Sequence, residues 1–185
     1  MKTTRALIGA LLGVTLIASA APLKTDVAHS SVSAVFKQMD VPVESNFKRF
    51  SAQIDYDAAH PEKATARVDI DTASFDMGQA DYNKEIAKKE WFNSAQFPKA
   101  SFVSSSIKPA GAGKLNVTGK LTSAVLPLMD SLPVTFSLKP EGGKQVFEGQ
   151  LPIKRLAFNV GEGEWHDTSM VADEVVIKFR VAAGQ

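Results

Sequence analysis

The side chains best suited to chemistry are concentrated in one ten-residue stretch, FNVGEGEWHD, from Phe158 to Asp167. Its two glycines are compatible with a phosphate-binding loop. A dinucleotide fingerprint, however, requires a third glycine where this chain has His166, followed by a helix that the later sequence does not predict. The G-K-[ST] sequence of a Walker loop is absent as well. The stretch therefore does not predict a nucleotide site.

Metal binding and catalysis also lack complete residue sets. No two of the three histidines have the i,i+2 or i,i+4 spacing that places both on one face of an element: His29, His60 and His166. His166 with Asp167, or with Glu162 and Glu164, could hold a hard cation weakly, and a solvated loop is the alternative. Nothing in the stretch indicates the desolvated acid of a glycosidase, and the chain has no G-x-S-x-G elbow. We predict a protein that is not an enzyme, with no catalytic residue and no metal site.

The beginning of the chain has the features of a secretory signal peptide. Lys2 and Arg5 precede an apolar run from Ala6 to Ala18, and A-S-A follows as a cleavage sequence. The run is shorter than the roughly 20 residues that a membrane span needs. We predict a signal peptide over residues 1–20, an exported domain over 21–185, and no stable membrane span after cleavage.

Charge and cysteine content exclude further classes of function. Without Lys2 and Arg5 the chain has 19 basic and 20 acidic residues, so it has no basic surface for nucleic acid. The absence of cysteine excludes disulfides, thiol nucleophiles and thiolate metal sites.

The elements that position these residues are mainly β-strands. Apolar and polar residues alternate with the period of half-buried strands over 50–57 and 64–71. The same pattern recurs in six further segments and predicts about eight strands in all: Val32–Phe36, Ala100–Ser106, Leu115–Leu121, Leu132–Leu138, Phe147–Ile153 and Val175–Val181. Short, turn-rich connections predict antiparallel neighbours. Gln79–Phe92 instead predicts a helix that ends before Phe97-Pro98.

A sheet of this size usually closes into a barrel or folds into a sandwich. We therefore predict an all-β domain with one short helical insertion. A barrel of about eight strands is either filled by its own side chains or holds one ligand, and the alternation is compatible with both.

Five segments in order cover nearly the whole chain after residue 20: DVAHSSVSAVFKQM, FKRFSAQIDYDAAHPEKATARVDIDTASFDMG, WFNSAQFPKASFVSSSI, LNVTGKLT and IKRLAFNVGEGEWHDTSMVADEVVIKF. This ordered set resembles the YceI-like family of exported lipid-binding proteins. The resemblance implies an eight-stranded antiparallel, lipocalin-like β-barrel with an apolar tunnel, in a periplasmic or secreted protein.

The resemblance also implies a ligand. Such a protein binds and carries a long-chain isoprenoid, such as a polyprenyl lipid or an isoprenoid quinone, or another amphiphilic lipid, with no cofactor required. Two alternatives remain open: an enzyme acting on an amphiphile, and a ligand-dependent interaction module for an electron-transfer or stress-response partner. The oligomeric state also remains open, a homodimer included.

Apolar residues that face inward on the predicted strands are expected to line the tunnel, with ordinary core packing as the alternative for each: Phe36, Phe50, Ile54, Val68, Ile70, Phe102, Leu121, Val134, Phe136, Phe147 and Val175. Four further residues are expected at the tunnel mouth: Trp91, Met129, Phe158 and Trp165.

Overall fold

The computed structural model describes residues 23–123 and 126–184, with side chains for 23–122 and 132–184. The predicted signal peptide lies outside the described residues. Within them, ten antiparallel strands form one sheet, and the one α-helix is α1 (Ala80–Ile86). The strands are β1 (Lys24–Gln38), β2 (Val41–Phe47), β3 (Phe50–Asp55), β4 (Thr65–Asp71), β5 (Phe75–Asp76), β6 (Lys99–Pro109), β7 (Lys114–Ser123), β8 (Leu126–Glu141), β9 (Lys144–Lys154) and β10 (Val171–Gly184). The predicted all-β class with a short helical insertion is confirmed.

Alternation along the strands places the apolar side chains inside the curled sheet. In β3, Ala52 and Ile54 are buried, whereas Ser51 and Gln53 are exposed. Successive side chains of a strand point to opposite faces, so one face of each strand contributes to the core. A tight turn joins β8 to β9, where Gly142 and Gly143 both have positive φ angles, as the mirror-image hairpin turn requires.

Eight strands form a ring. The order of the sheet is β3-β4-β6-β7-β8-β9-β10-β1-β2-β5. The amide of Leu23, next to β1, donates to the carbonyl of Ile54 in β3, and the Thr25 hydroxyl donates to the carbonyl of Ala52 at 2.5 Å. These bonds join β1 to β3, so the eight strands from β3 round to β1 enclose the core.

The eight predicted strands all occur, but β2 and β5 were not predicted, so the strand count was too low. In β2, the buried Ser45 interrupts the apolar face that Val41, Val43 and Phe47 would otherwise form. β5 has two residues and is a strand only because it pairs with Asn46 and Phe47 of β2. Both strands extend the sheet beyond the ring, next to the helical insertion.

The helix is shorter than predicted. It ends at Ile86, and the amide of Phe92 donates back to the Ile86 carbonyl at 3.1 Å. The chain turns back after Ile86, and Trp91 is buried as a result. A helix that continued straight to Phe92 would not make this turn. No helix within the two described ranges is long and apolar enough to cross a membrane.

One end of the barrel interior is filled by side chains. Tyr56 and Phe147 meet edge to face with ring centroids 5.7 Å apart. The rings of Phe136 and Phe179 lie 6.3 Å apart, and Phe136 also covers Gly149. The space available to a ligand therefore lies elsewhere in the interior.

Candidate functional site

An apolar cavity of about 180 Å³ lies between the C-terminal half of β1, the start of β10 and the part of the chain from α1 to Phe92, which we call the α1 segment. Its walls are mainly aromatic and aliphatic, including Phe36, Phe47, Phe92, Ile153, Val175 and Ile177. Apolar walls with few polar groups are typical of sites for apolar ligands. We call this space the outer cavity.

A second cavity, of about 90 Å³, lies deeper in the barrel and is called the inner cavity. Ile70, Phe102 and Leu121 border it from β4, β6 and β7. The outer and inner cavities share seven lining residues: Phe47, Trp91, Phe92, Ile153, Phe158, Val160 and Ile177. They are therefore neighbours separated only by side chains.

The outer cavity reaches the surface next to exposed apolar residues. Gln38, at the end of β1, and Tyr82, on α1, both border it and are exposed. The Met39 amide bonds to the Met170 carbonyl, and these side chains are 63% and 44% exposed. Large apolar side chains thus lie around this end of the barrel, and we call Met39, Val41, Tyr82 and Met170 the rim.

Aromatic pairs attach the α1 segment to the barrel. Phe47 of β2 lies 4.7 Å from Phe75 and 5.9 Å from Phe92, measured between ring centroids. Trp91 packs against Trp165 at 5.4 Å with the rings tilted by 48°. These contacts position Trp91 and Phe92 on the walls of both cavities.

A buried arginine organises the connection between β9 and β10. Arg155 is 3% exposed, and its guanidinium lies 5.8 Å from the Trp91 ring centroid. Burial lowers the pKa of Arg155, and the charge of Asp173 opposes that shift. All five N–H groups of the side chain are used, since they donate to the carbonyls of Val160, Gly161, Trp165, Val171 and Ala172 at 2.7 to 3.1 Å. Arg155 therefore holds both ends of this connection together and has no donor left for a ligand.

Gly161 makes room for that guanidinium. Its φ is +81°, and a Cβ there would overlap with Nη1 of Arg155 and lie 3.1 Å from Cζ3 of Trp91. Sequence reasoning assigned no role to Arg155. The sequence shows only that Arg155 directly follows β9 and precedes Gly161 by six residues. The fold is needed to show that Arg155 is buried.

The predicted tunnel residues separate into two groups. Phe36 and Val175 border the outer cavity, and Ile70, Phe102 and Leu121 border the inner one. Six others pack in the core or against it and border neither cavity: Phe50, Ile54, Val68, Val134, Phe136 and Phe147.

The predicted mouth residues lie together where the structure describes them. Trp91 and Phe158 border both cavities, and Trp165 borders the outer one. The side chain of Met129 lies outside the described side chains.

The acidic residues and the histidine of FNVGEGEWHD do not border either cavity. Glu162, Glu164, His166 and Asp167 are exposed. Hydrogen bonds from Ser169 lower the pKa of the Asp167 carboxyl, which is a local effect of the turn. Among the described residues there is no group of three or more His, Asp or Glu side chains that could hold a metal ion.

The comparison with known families gives one clear match. A family model described as the YceI-like domain matches residues 23–183. The matched range contains the helix, both cavities and all the described strands apart from Gly184, the last residue of β10.

The chain is also similar to solved structures and to curated proteins. The crystal structure of BcnA from Burkholderia cenocepacia is 52% identical, with a TM-score of 0.81 over 86% of this chain and 99% of that one. A polyisoprenoid binding domain from Saccharophagus degradans has the same fold at 15% identity, with a TM-score of 0.64 over 89% of this chain and 98% of its own. A UPF0312 protein of Shewanella sp. (strain W3-18-1) is 37% identical over 120 residues, which is 63% of this chain and 63% of that protein. Alignment to such curated relatives thus spans a little less than two thirds of their length.

Proposed function

Because this chain belongs to the YceI-like domain family, we propose that it binds a long-chain isoprenoid lipid or isoprenoid quinone in its apolar interior and carries it in the periplasm. The observation that carries the proposal is the line of apolar space from the rim through the outer cavity to the inner one. A narrow, elongated apolar space favours a chain-like apolar ligand. The shared fold of a polyisoprenoid binding domain supports the same ligand class.

A long chain requires the two cavities to join. An apolar cavity of about 150 Å³ holds a molecule the size of benzene. The outer cavity, at about 180 Å³, therefore has room for about one ring. Seven side chains border both cavities, Phe92 and Phe158 among them, so movement of these shared side chains would connect the two spaces.

The free energy of transfer favours exchange with a membrane. Each buried CH₂ contributes about 0.8 kcal/mol relative to water. The competing environment of the ligand is a bilayer whose interior is equally apolar, so the net preference for the protein is small. That balance suits a carrier that loads and unloads at the rim.

The test is mass spectrometry of lipids extracted from protein purified without detergent from its bacterial host. Val175 borders the outer cavity, whereas Val176 points to the opposite face of β10. We expect an isoprenoid with wild type and with Val176→Phe, and a large loss with Val175→Phe, because the added ring occupies the outer cavity. Wild-type protein that carries no apolar ligand above a matched exported control protein would contradict the proposal, and equal loading of the two variants would contradict this location of the site.

Export is tested in the same preparation. The intact mass of protein from the periplasmic fraction is expected to correspond to a chain that starts near Ala21 or Pro22. An uncleaved chain that remains with the membrane fraction would contradict the periplasmic assignment.

A further inference from the structure

The large apolar side chains that are exposed in this protein are concentrated at one end of the barrel. The structure describes six of them, and four of the six form the rim. The other two lie apart, with Val27 near the start of β1 and Val103 on the outer face of β6. Single exposed apolar residues are ordinary on a protein surface, whereas a cluster of them marks a contact surface.

The rim lies around the opening of the outer cavity. The Met39 amide donates to the Met170 carbonyl at 2.9 Å, and Val41 is paired with Gln38, which borders the cavity. Directly paired residues of antiparallel strands have their side chains on the same face, so Val41 lies on the face of β2 that continues into the cavity. Tyr82 of α1 borders the cavity directly.

Folding does not account for the methionine at the tip of the β1–β2 hairpin. Met39 and Asp40 have φ angles of +47° and +60°, as a two-residue mirror-image turn requires, and such turns favour Asn-Gly. A left-handed methionine is disfavoured, because its Cβ lies close to the carbonyl oxygen. The Met39 side chain gains no burial in return, since it is 63% exposed. An apolar side chain at this position therefore has its use outside the folded chain.

Charge does not select the partner of the rim. The charged residues directly next to the rim in the sequence are Asp40 and Asp81, and Asp81 forms an ion pair with Lys84 at 3.3 Å. Basic residues clustered around the apolar ones would instead indicate attraction to anionic lipid headgroups. Contact through the rim is therefore expected to depend on apolar burial and only weakly on salt.

A lipid surface fits the rim better than a folded protein does. A protein seated on the rim would cover the opening of the outer cavity, whereas a bilayer buries the rim and also holds apolar molecules that can enter the opening. Methionine side chains are unbranched and flexible, so they adapt to a disordered partner. A tyrosine, with an apolar ring and a polar hydroxyl, is typical of the membrane interface.

We propose that the rim docks on the surface of a lipid bilayer, with its apolar side chains at the level of the headgroups and the opening of the outer cavity turned toward the membrane. For its role in ligand exchange, this inference rests on the proposed function. The rim is a contact surface formed by a few side chains, so its binding to the bilayer is reversible.

Flotation with vesicles of phosphatidylethanolamine and phosphatidylglycerol tests the docking. The rim variant combines Met39→Gln, Val41→Thr and Met170→Gln, which nearly keep the size of each side chain and make it polar; none of the three residues borders either cavity. The control combines Val27→Thr with Val103→Thr, since Val27 is 52% exposed and Val41 is 62% exposed. We expect wild type and control to bind equally, at about 0.1 M and about 1 M salt alike, and the rim variant to bind at least roughly tenfold more weakly.

A fluorescent label locates the contact without the rim variant. The chain has no cysteine, so Met39→Cys or Val27→Cys provides a single site for an environment-sensitive fluorophore. Met39 follows the end of β1, whereas Val27 lies near its start, at the other end of the barrel. Vesicles should shift the emission of the label at position 39 to the blue and leave that at position 27 unchanged.

The outcomes separate the docking from the proposed function, because bound lipid is measured on the same proteins by mass spectrometry. If wild type carries an isoprenoid but neither floats nor shows a shift at position 39, the docking fails and the proposed function stands. If wild type floats through the rim but carries no isoprenoid, the proposed function fails and the docking stands.

Two further results would overturn the docking. Equal flotation of the rim variant and the control, with both labels responding, would place the membrane contact elsewhere on the protein. A dimer in solution that only the rim variant abolishes, without flotation of wild type, would assign the rim to a second copy of this chain.

Discussion

Replacing Gly161 by alanine tests whether Arg155 holds the connection between β9 and β10 in place. Gly161 has φ of +81°, and an added Cβ would overlap with Nη1 of Arg155. Gly163 is the matched control, because its φ is +63° but no atom lies within 4 Å of an added Cβ. Both substitutions place alanine in the left-handed region, and only the first displaces the guanidinium.

The expected difference follows from the bonds of Nη1. An alanine in the left-handed region costs about 1 to 2 kcal/mol, partly offset by about 0.5 kcal/mol from the lower entropy of the unfolded chain. Gly163→Ala should therefore destabilise by about 1 kcal/mol. Nη1 donates to the carbonyls of Val160 and Gly161, both at 2.9 Å. Hydrogen bonds from a charged donor contribute about 1.5 kcal/mol or more each, so Gly161→Ala should destabilise by about 4 kcal/mol.

Urea unfolding followed by tryptophan fluorescence measures both values, since Trp91 and Trp165 flank the segment. The slopes of the transitions must agree with wild type for the free energies of unfolding to be comparable. If the two variants lose the same stability within about 0.5 kcal/mol, Arg155 is not what makes Gly161 necessary.

Two further substitutions test the ion pair at the start of β1 and a strand glycine. The pKa of Asp26 is lowered from 3.8 to about 2, chiefly by a hydrogen bond from Lys144 and next by one from His29. The stability that the Asp26 carboxylate contributes is therefore complete above about pH 4 and is lost as the pH falls through about 2. Asp26→Asn should therefore lower stability at neutral pH and flatten the acid-unfolding curve between about pH 4 and 2; a curve as steep as that of wild type would contradict the assignment. At Gly119, an added Cβ would overlap with the Phe102 ring and lie 2.7 Å from the backbone carbonyl of Val103, which cannot rotate away, so Gly119→Ala should cost about 2 kcal/mol in urea unfolding. A cost near zero would show that β6 and β7 can separate locally.

Much of the fold was predictable because strand alternation is a local signal. The period of two in β3 and β4 follows from the geometry of a single strand, so it is visible without knowledge of the partners. β5 is different, since its two residues are a strand only through their pairing with β2. The end of α1 at Ile86 was also missed, because burial of Trp91, rather than helix propensity, decides where the chain turns.

The candidate site was predictable in its chemistry but not in its location. Val175 and Phe147 are both apolar and both face inward, yet Val175 borders the outer cavity and Phe147 packs against Tyr56. Which inward residues fill the barrel depends on the sizes of side chains from distant strands, and alternation contains no information on that fit.

The sequence by itself determined the class of strand-rich domain, the inward faces of the strands and, through five ordered segments, the family. The tertiary structure decided which part of the interior is open, and it brought Arg155 and Gly161 against Trp91, which borders both cavities. The physical reason is that hydrophobic alternation acts within one strand, whereas cavity shape and the pairing of buried donors depend on contacts between residues far apart in the chain. Arg155 and Trp91 carry polar groups in an apolar interior. Only the folded chain shows that all the donors of Arg155 are satisfied, whereas the indole N–H of Trp91 has no acceptor among the described residues.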